Sequence, residues 1–154
     1  MREKEYTPLH ADGFIEITEK ELHKTFVEPF QGQANVHRTD LLLNFVEFWR
    51  EFKRLGLSAE VWIDGSFATT APDPADIDMV FFMDKIAIEN LRDKKRVLFE
   101  KLFSNRKSIR NIYKVEVYFA PYDDNSERIE WRETFGTYCD NITPKGIFRL
   151  NFKK

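Results

Sequence analysis

The chain has 154 residues, enough for one domain with a substantial core and too few for two ordinary ones. Its 42% hydrophobic residues, with 15 Phe, exclude a disordered chain even though 32% of residues are charged. The 24 Lys and Arg against 26 Asp and Glu leave a net charge of −2, which excludes a global basic field for non-specific nucleic-acid binding.

The charged start, Met1-Arg2-Glu3-Lys4-Glu5, leads into no apolar stretch, and no run of 18 or more apolar residues occurs anywhere. A soluble, cytoplasmic protein without membrane association is expected. A single domain over 1–154 is expected, with residues 1–37 as an N-terminal extension and 38–154 as the core. Thr18 and Glu21 have the spacing of a capping box and open a short helix carrying Leu22 and Phe26. Residues 31–35 read as a polar loop. From Thr39 or Asp40, apolar side chains at Leu42, Phe45, Val46, Trp49 and Phe52 predict a helix that stops at Gly56.

A β-branched and aromatic run over about 59–64 predicts a strand, followed by Gly65-Ser66 and a second strand over about 76–83. Asp84 caps a predicted helix over 86–104, with Ile88, Leu91, Leu98 and Leu102 on its apolar face. Residues 113–119 alternate as a third strand, and 121–125 read as a turn. Ser126 opens a helix through Phe135 that ends at Gly136, and residues 147–152 form a last strand.

The chemistry concentrates where Gly65-Ser66 is followed, after a gap of nine residues, by Asp76-Ile77-Asp78. Side chains alternate in a strand, so Asp76 and Asp78 project to one side. Two close carboxylates repel unless a cation lies between them, and Mg²⁺ or Mn²⁺ accepts such oxygen donors together with phosphate oxygens. Glu116, between Val115 and Val117, is an awkward charge in a strand unless its face opens on a site, and is a candidate third ligand. Gly65 would let backbone approach phosphate, and Ser66 would donate a hydrogen bond.

Together Ile63, Gly65-Ser66, Asp76-x-Asp78 and the later strand acid Glu116 resemble the nucleotidyltransferase superfamily, typified by polymerase-β-like and kanamycin-type nucleotidyltransferases. The resemblance implies that Asp76, Asp78 and Glu116 are catalytic and bind metal. Glu116 would assist deprotonation of the acceptor, and Gly65 and Ser66 would hold the nucleotide phosphates. Asp12-Gly13-Phe14, Trp131 to Gly136 and Pro144-Lys145-Gly146-Ile147 extend the likeness over most of the chain, to a small prokaryotic family of nucleotidyltransferase-like proteins without assigned activity. The fold implied is a compact α/β (α+β) nucleotidyltransferase-like domain: a short, mixed, twisted sheet with helices packed on one face.

The implied activity transfers a nucleoside monophosphate from a nucleoside triphosphate to a hydroxyl on a protein, nucleic acid or small molecule, releasing pyrophosphate. The chain departs from many small members of the superfamily in having no Arg after Gly-Ser: Phe67-Ala68-Thr69-Thr70-Ala71-Pro72 carries no cation. That departure supports an alternative, a catalytically weak or inactive module that binds a partner protein, as in a toxin–antitoxin pair. Lys114, Arg132 and Lys145 read as surface charges sooner than phosphate contacts. Cys139 and the scattered His10, His23 and His37 lack the spacing of a zinc site or a nucleophile.

Overall fold

The computed structural model describes residues 6–137 and 144–154; the charged start Met1–Glu5 and Cys139 lie outside the described residues. Strands β1 (Phe14–Glu16), β2 (Ala59–Asp64), β3 (Ile77–Met83), β4 (Val115–Pro121) and β5 (Ile147–Phe152) form one mixed sheet. Its spatial order is β1-β5-β2-β3-β4. The central strands β5, β2 and β3 run antiparallel to their neighbours in that trio, and the outer pairs β1–β5 and β3–β4 are parallel. Helices α1 (Leu22–Phe26), α2 (Gly32–Lys53), α3 (Lys85–Glu89), α4 (Asp93–Phe103), α5 (Arg106–Tyr113) and α6 (Asn125–Phe135) connect and cover it. Among the described residues no helix is long and apolar enough to cross a membrane.

The two sheet faces differ because strand side chains alternate. Ile77, Met79, Phe81 and Met83 of β3, with Val61 and Ile63 of β2 and Val115 and Val117 of β4, enter the main core beneath α2, α4 and α5. Phe48, Trp49 and Phe52 of α2 meet Phe81 and Phe103 there, mostly edge to face, an arrangement the ring quadrupole favours. Most of the 15 Phe are therefore spent on the core. The opposite face carries only a small cluster, Trp62, Val80, Phe82, Ala120, Phe135 and Ile147. Helix α6 lies on that second face, so not every helix shares the face expected from sequence; its few apolar side chains, Trp131 and Phe135, cover one part of the sheet and leave another open.

Several boundaries differ from those expected, each for a local reason. Helix α2 begins at Gly32, not at Thr39, because Asn35 spends its amide on the carbonyls of Val27 and Phe30 and so anchors the first turn against the preceding segment. Gly56, at φ 70°, supplies the left-handed residue that ends the element as expected. The segment expected as one helix over 86–104 is two, α3 and α4, with Leu91 buried at the break between them. Helix α5 fills residues 106–112, to which no element was assigned, and takes Tyr113 from the start of the expected third strand. It ends at Lys114 in the left-handed region and turns the chain directly into β4. The box at Thr18 and Glu21 is present: the Glu21 carboxylate accepts from the Thr18 N–H at 2.9 Å.

Candidate metal centre

The open face of the sheet receives a row of acids, because the residues that alternate away from the core at one level of β2, β3 and β4 are Asp64, Asp78 and Glu116. Asp64 is the direct cross-strand partner of Asp78, and Asp78 is that of Glu116. Asp76, the residue before β3, bends toward the same place. Carboxylate oxygens of Asp76, Asp78 and Glu116 all lie within 4.8 Å of one another. The three acids expected from sequence are thus brought together by the register of one parallel strand pair.

Electrostatics make this cluster unfavourable on its own. Burial, then repulsion from Asp76 and Glu116, pushes the Asp78 carboxyl up to about 8. Asp76 is also raised, since its burial outweighs attraction to Arg110, whose Nε lies 2.9 Å from Oδ2. The Tyr118 hydroxyl donates to Glu116 Oε1 at 3.0 Å, and burial and that bond raise its own pKa. Converging hard oxygen donors whose repulsion Arg110 relieves only in part fit a divalent cation, so the acidic triad could hold a metal.

Asp64 takes no part in that triad. Its Oδ1 pairs with the Lys145 ammonium at 3.0 Å, with both side chains almost fully buried. Lys145 also donates from Nζ to the Gly65 carbonyl at 3.0 Å. Lys145 is therefore not the surface charge expected: it neutralises the fourth acid and fixes the turn after β2. Arg132 and Lys114 are exposed as expected. Arg132 lies with Cζ 5.9 Å from the centre of the Phe14 ring.

Gly65 and Ser66 sit beside the acids. At Gly65 the backbone has φ 77° and ψ −164°, a conformation essentially restricted to glycine. A Cβ there would also overlap Asp78 Oδ2, so the missing side chain is what admits the carboxylate. Ser66 opens a short 3₁₀ turn to Ala68 and is half-buried. The following loop is held from behind by Arg38 of α2. Its guanidinium, fully buried, donates to the carbonyls of Phe26, Phe67, Thr69 and Ala71 at 2.7–3.1 Å. Its Cζ also stacks 3.7 Å from the centre of the Phe30 ring. Desolvation lowers the Arg38 pKa to about 10, so it stays charged at neutral pH. His37 bonds the Pro74 carbonyl in the same loop.

Next to the triad a cavity of about 420 Å³ opens between β4 and α6, bounded by Asp78, Glu116, Tyr118, Glu127, Glu130 and Trp131. Tyr118 and Trp131 form its aromatic floor, with ring centres 4.8 Å apart. A larger cavity of about 610 Å³ lies elsewhere, beside Ala59, Glu60, Asp84, Tyr122 and Phe152, and contains none of the acids of the triad. Ionisable groups converge at the smaller space, beside the triad.

Sequence reasoning missed Asp64, Arg38, Arg106, Arg110 and the aromatic floor. Asp64 was legible, since it alternates with Trp62 in a strand and directly precedes Gly65. Arg106 and Arg110 are spaced one helical turn apart around Ile109, an amphipathic signal in a segment without an assigned element.

Residues 3–151 match the Family of unknown function (DUF6932), and the chain belongs to that family. No curated protein and no solved structure matches it.

Proposed function

Because membership of a family of unknown function leaves the chemistry to be read from the site, we propose that the protein is a metal-dependent nucleotidyltransferase. It would move a nucleoside monophosphate from a nucleoside triphosphate to a hydroxyl acceptor and release pyrophosphate. The observation that carries this reading is the convergence of Asp76, Asp78 and Glu116 within 4.8 Å on an open sheet face, against a glycine whose missing side chain makes room for the Asp78 carboxylate. Those three carboxylates would hold Mg²⁺ or Mn²⁺, which when bound supplies neutralisation of charge on the transferring phosphate.

The remaining roles belong to the chain itself. Gly65, whose missing side chain admits the Asp78 carboxylate, would present the backbone of its turn to the phosphates beside the metal, and the Ser66 hydroxyl would donate to a phosphate oxygen. The cavity over Tyr118 and Trp131 orients the acceptor so that its hydroxyl oxygen bonds to the α-phosphorus as the bond to the pyrophosphate oxygen breaks. The hydroxyl proton passes to a carboxylate oxygen of Glu116, whose other contact, the Tyr118 hydroxyl, orients it.

The test is incubation of the protein and an acceptor-rich lysate with Mg²⁺ or Mn²⁺ and each α-³²P-labelled nucleoside triphosphate, beside the Asp76→Asn/Asp78→Asn protein. Transfer of label that is lost in the variant is expected; no label above the variant refutes catalysis. That outcome would favour the second reading, a partner-binding module such as one half of a toxin–antitoxin pair. The loop after Ser66, which carries no cation over Phe67 to Pro72, is the observation on its side.

A further inference from the structure

The two flanks of the acidic triad carry opposite charge. On the α6 side, Glu127 and Glu130 border the cavity, and neither has a cation within ion-pair distance among the described residues. On the α5 side, Arg106 and Arg110 leave the same face of the helix one turn apart. Arg110 pairs with Asp76, while the Arg106 guanidinium lies 4.7 Å from the centre of the Tyr118 ring and has no carboxylate partner among the described residues. Both arginines are exposed at the surface, with their charged ends turned to the site. The turn at Gly65-Ser66 brings no positive side chain of its own, and two cations that reach it are committed elsewhere: Arg38 to four carbonyls behind the loop, and buried Lys145 to Asp64 and the Gly65 carbonyl.

We infer that Arg106 and Arg110 of α5 form the polyphosphate-binding arm of the site, and that Arg110 rests on Asp76 as a counter-ion exchanged for phosphate when substrate is bound. A polyphosphate leaving the triad toward α6 meets the carboxylates of Glu127 and Glu130; leaving toward α5 it meets two guanidinium forks suited to bidentate phosphate contact. The arm thus supplies from a later helix the positive charge that the loop after Ser66 lacks. This inference rests on the nucleotidyl-transfer reading of the triad.

The experiment measures binding of Mn²⁺ alone, and of Mn²⁺ with inorganic tripolyphosphate, by thermal shift and by the free-Mn²⁺ resonance signal. It compares the native protein with Arg106→Gln, Arg110→Gln and Asp76→Asn/Asp78→Asn. Arg110→Gln should bind Mn²⁺ alone about tenfold more tightly, since a positive charge leaves Asp76, and the tripolyphosphate complex about tenfold more weakly. Arg106→Gln should leave Mn²⁺ binding unchanged and weaken the tripolyphosphate complex about tenfold. Opposite shifts in one variant cannot come from misfolding. If native protein binds no Mn²⁺, or the double Asp variant binds it equally, the reading of the triad fails and the arm with it. If Mn²⁺ binding depends on the two Asp residues, but tripolyphosphate is not bound or is bound equally by both arginine variants, the arm alone is overturned.

Discussion

Asp78→Asn should make the metal-free protein more stable, an effect that depends on pH in a direction set by burial. The Asp78 carboxyl stands at about 8 in the folded chain against an ordinary 3.8. Between those values the folded state holds a proton that the unfolded state releases, so raising the pH through this window destabilises the native protein. The displacement bounds the effect at about 6 kcal/mol, taking about 1.4 kcal/mol per pH unit. Asp76 and Glu116, relieved of a charged neighbour in the variant, recover only part of it, so we expect about 2–4 kcal/mol at pH 8. For a chain of this size that raises Tm by roughly 5–12 °C. Near pH 5 the unfolded carboxyl is already ionised while the folded one keeps its proton, so the gap should shrink to roughly a third of its pH 8 value, and it should close only below the ordinary value of 3.8. Thermal and urea denaturation in chelator at both pH values measure the difference. A variant no more stable than native protein at pH 8, or equally stabilised at both pH values, refutes the account of Asp78 as a strained, cation-seeking group.

Gly65→Ala should destabilise the chain by about 3 kcal/mol or more, from a backbone conformation closed to alanine and from overlap of the new Cβ with Asp78. Thermal melting checks it, and a loss under 1 kcal/mol would show that the turn relaxes freely. Arg38→Gln, which leaves buried carbonyls in the loop without a donor, should cost about 3–5 kcal/mol and expose residues 66–76 to limited proteolysis. Native-like resistance of that loop would remove Arg38 as its anchor.

Strands β2, β3 and β5 were legible because period-two alternation and a dense run of β-branched and aromatic residues admit little else. The acids Asp76, Asp78 and Glu116 were legible for the same reason, since polar side chains interrupt otherwise apolar strands. Lys145 was not, because nothing in Pro144-Lys145-Gly146 tells that its ammonium will be buried against an aspartate in a strand far upstream. Arg106 and Arg110 were hidden by a short helix in which charged residues are as numerous as apolar ones. The single turn of Ile109 and Tyr113 that packs against the core is too brief to register as a repeat. Pairings across the sheet depend on which strands become neighbours, and that is decided by the whole chain.

The contact between Lys145 and the turn at Gly65 spans 80 positions of sequence. During synthesis, every acid of the site has left the ribosome well before the lysine that balances Asp64 and before β5, which inserts between β1 and β2. Until then β2 has an unpaired edge and Asp64 an uncompensated charge, and long-range closures of this kind come late in folding. The nascent chain should therefore carry all three carboxylates beside a Gly65 turn that Lys145 does not yet hold. The wall of the site that Asp64 and Gly65 form would be secured only when β5 pairs with β2, so the acids are in place before their setting is.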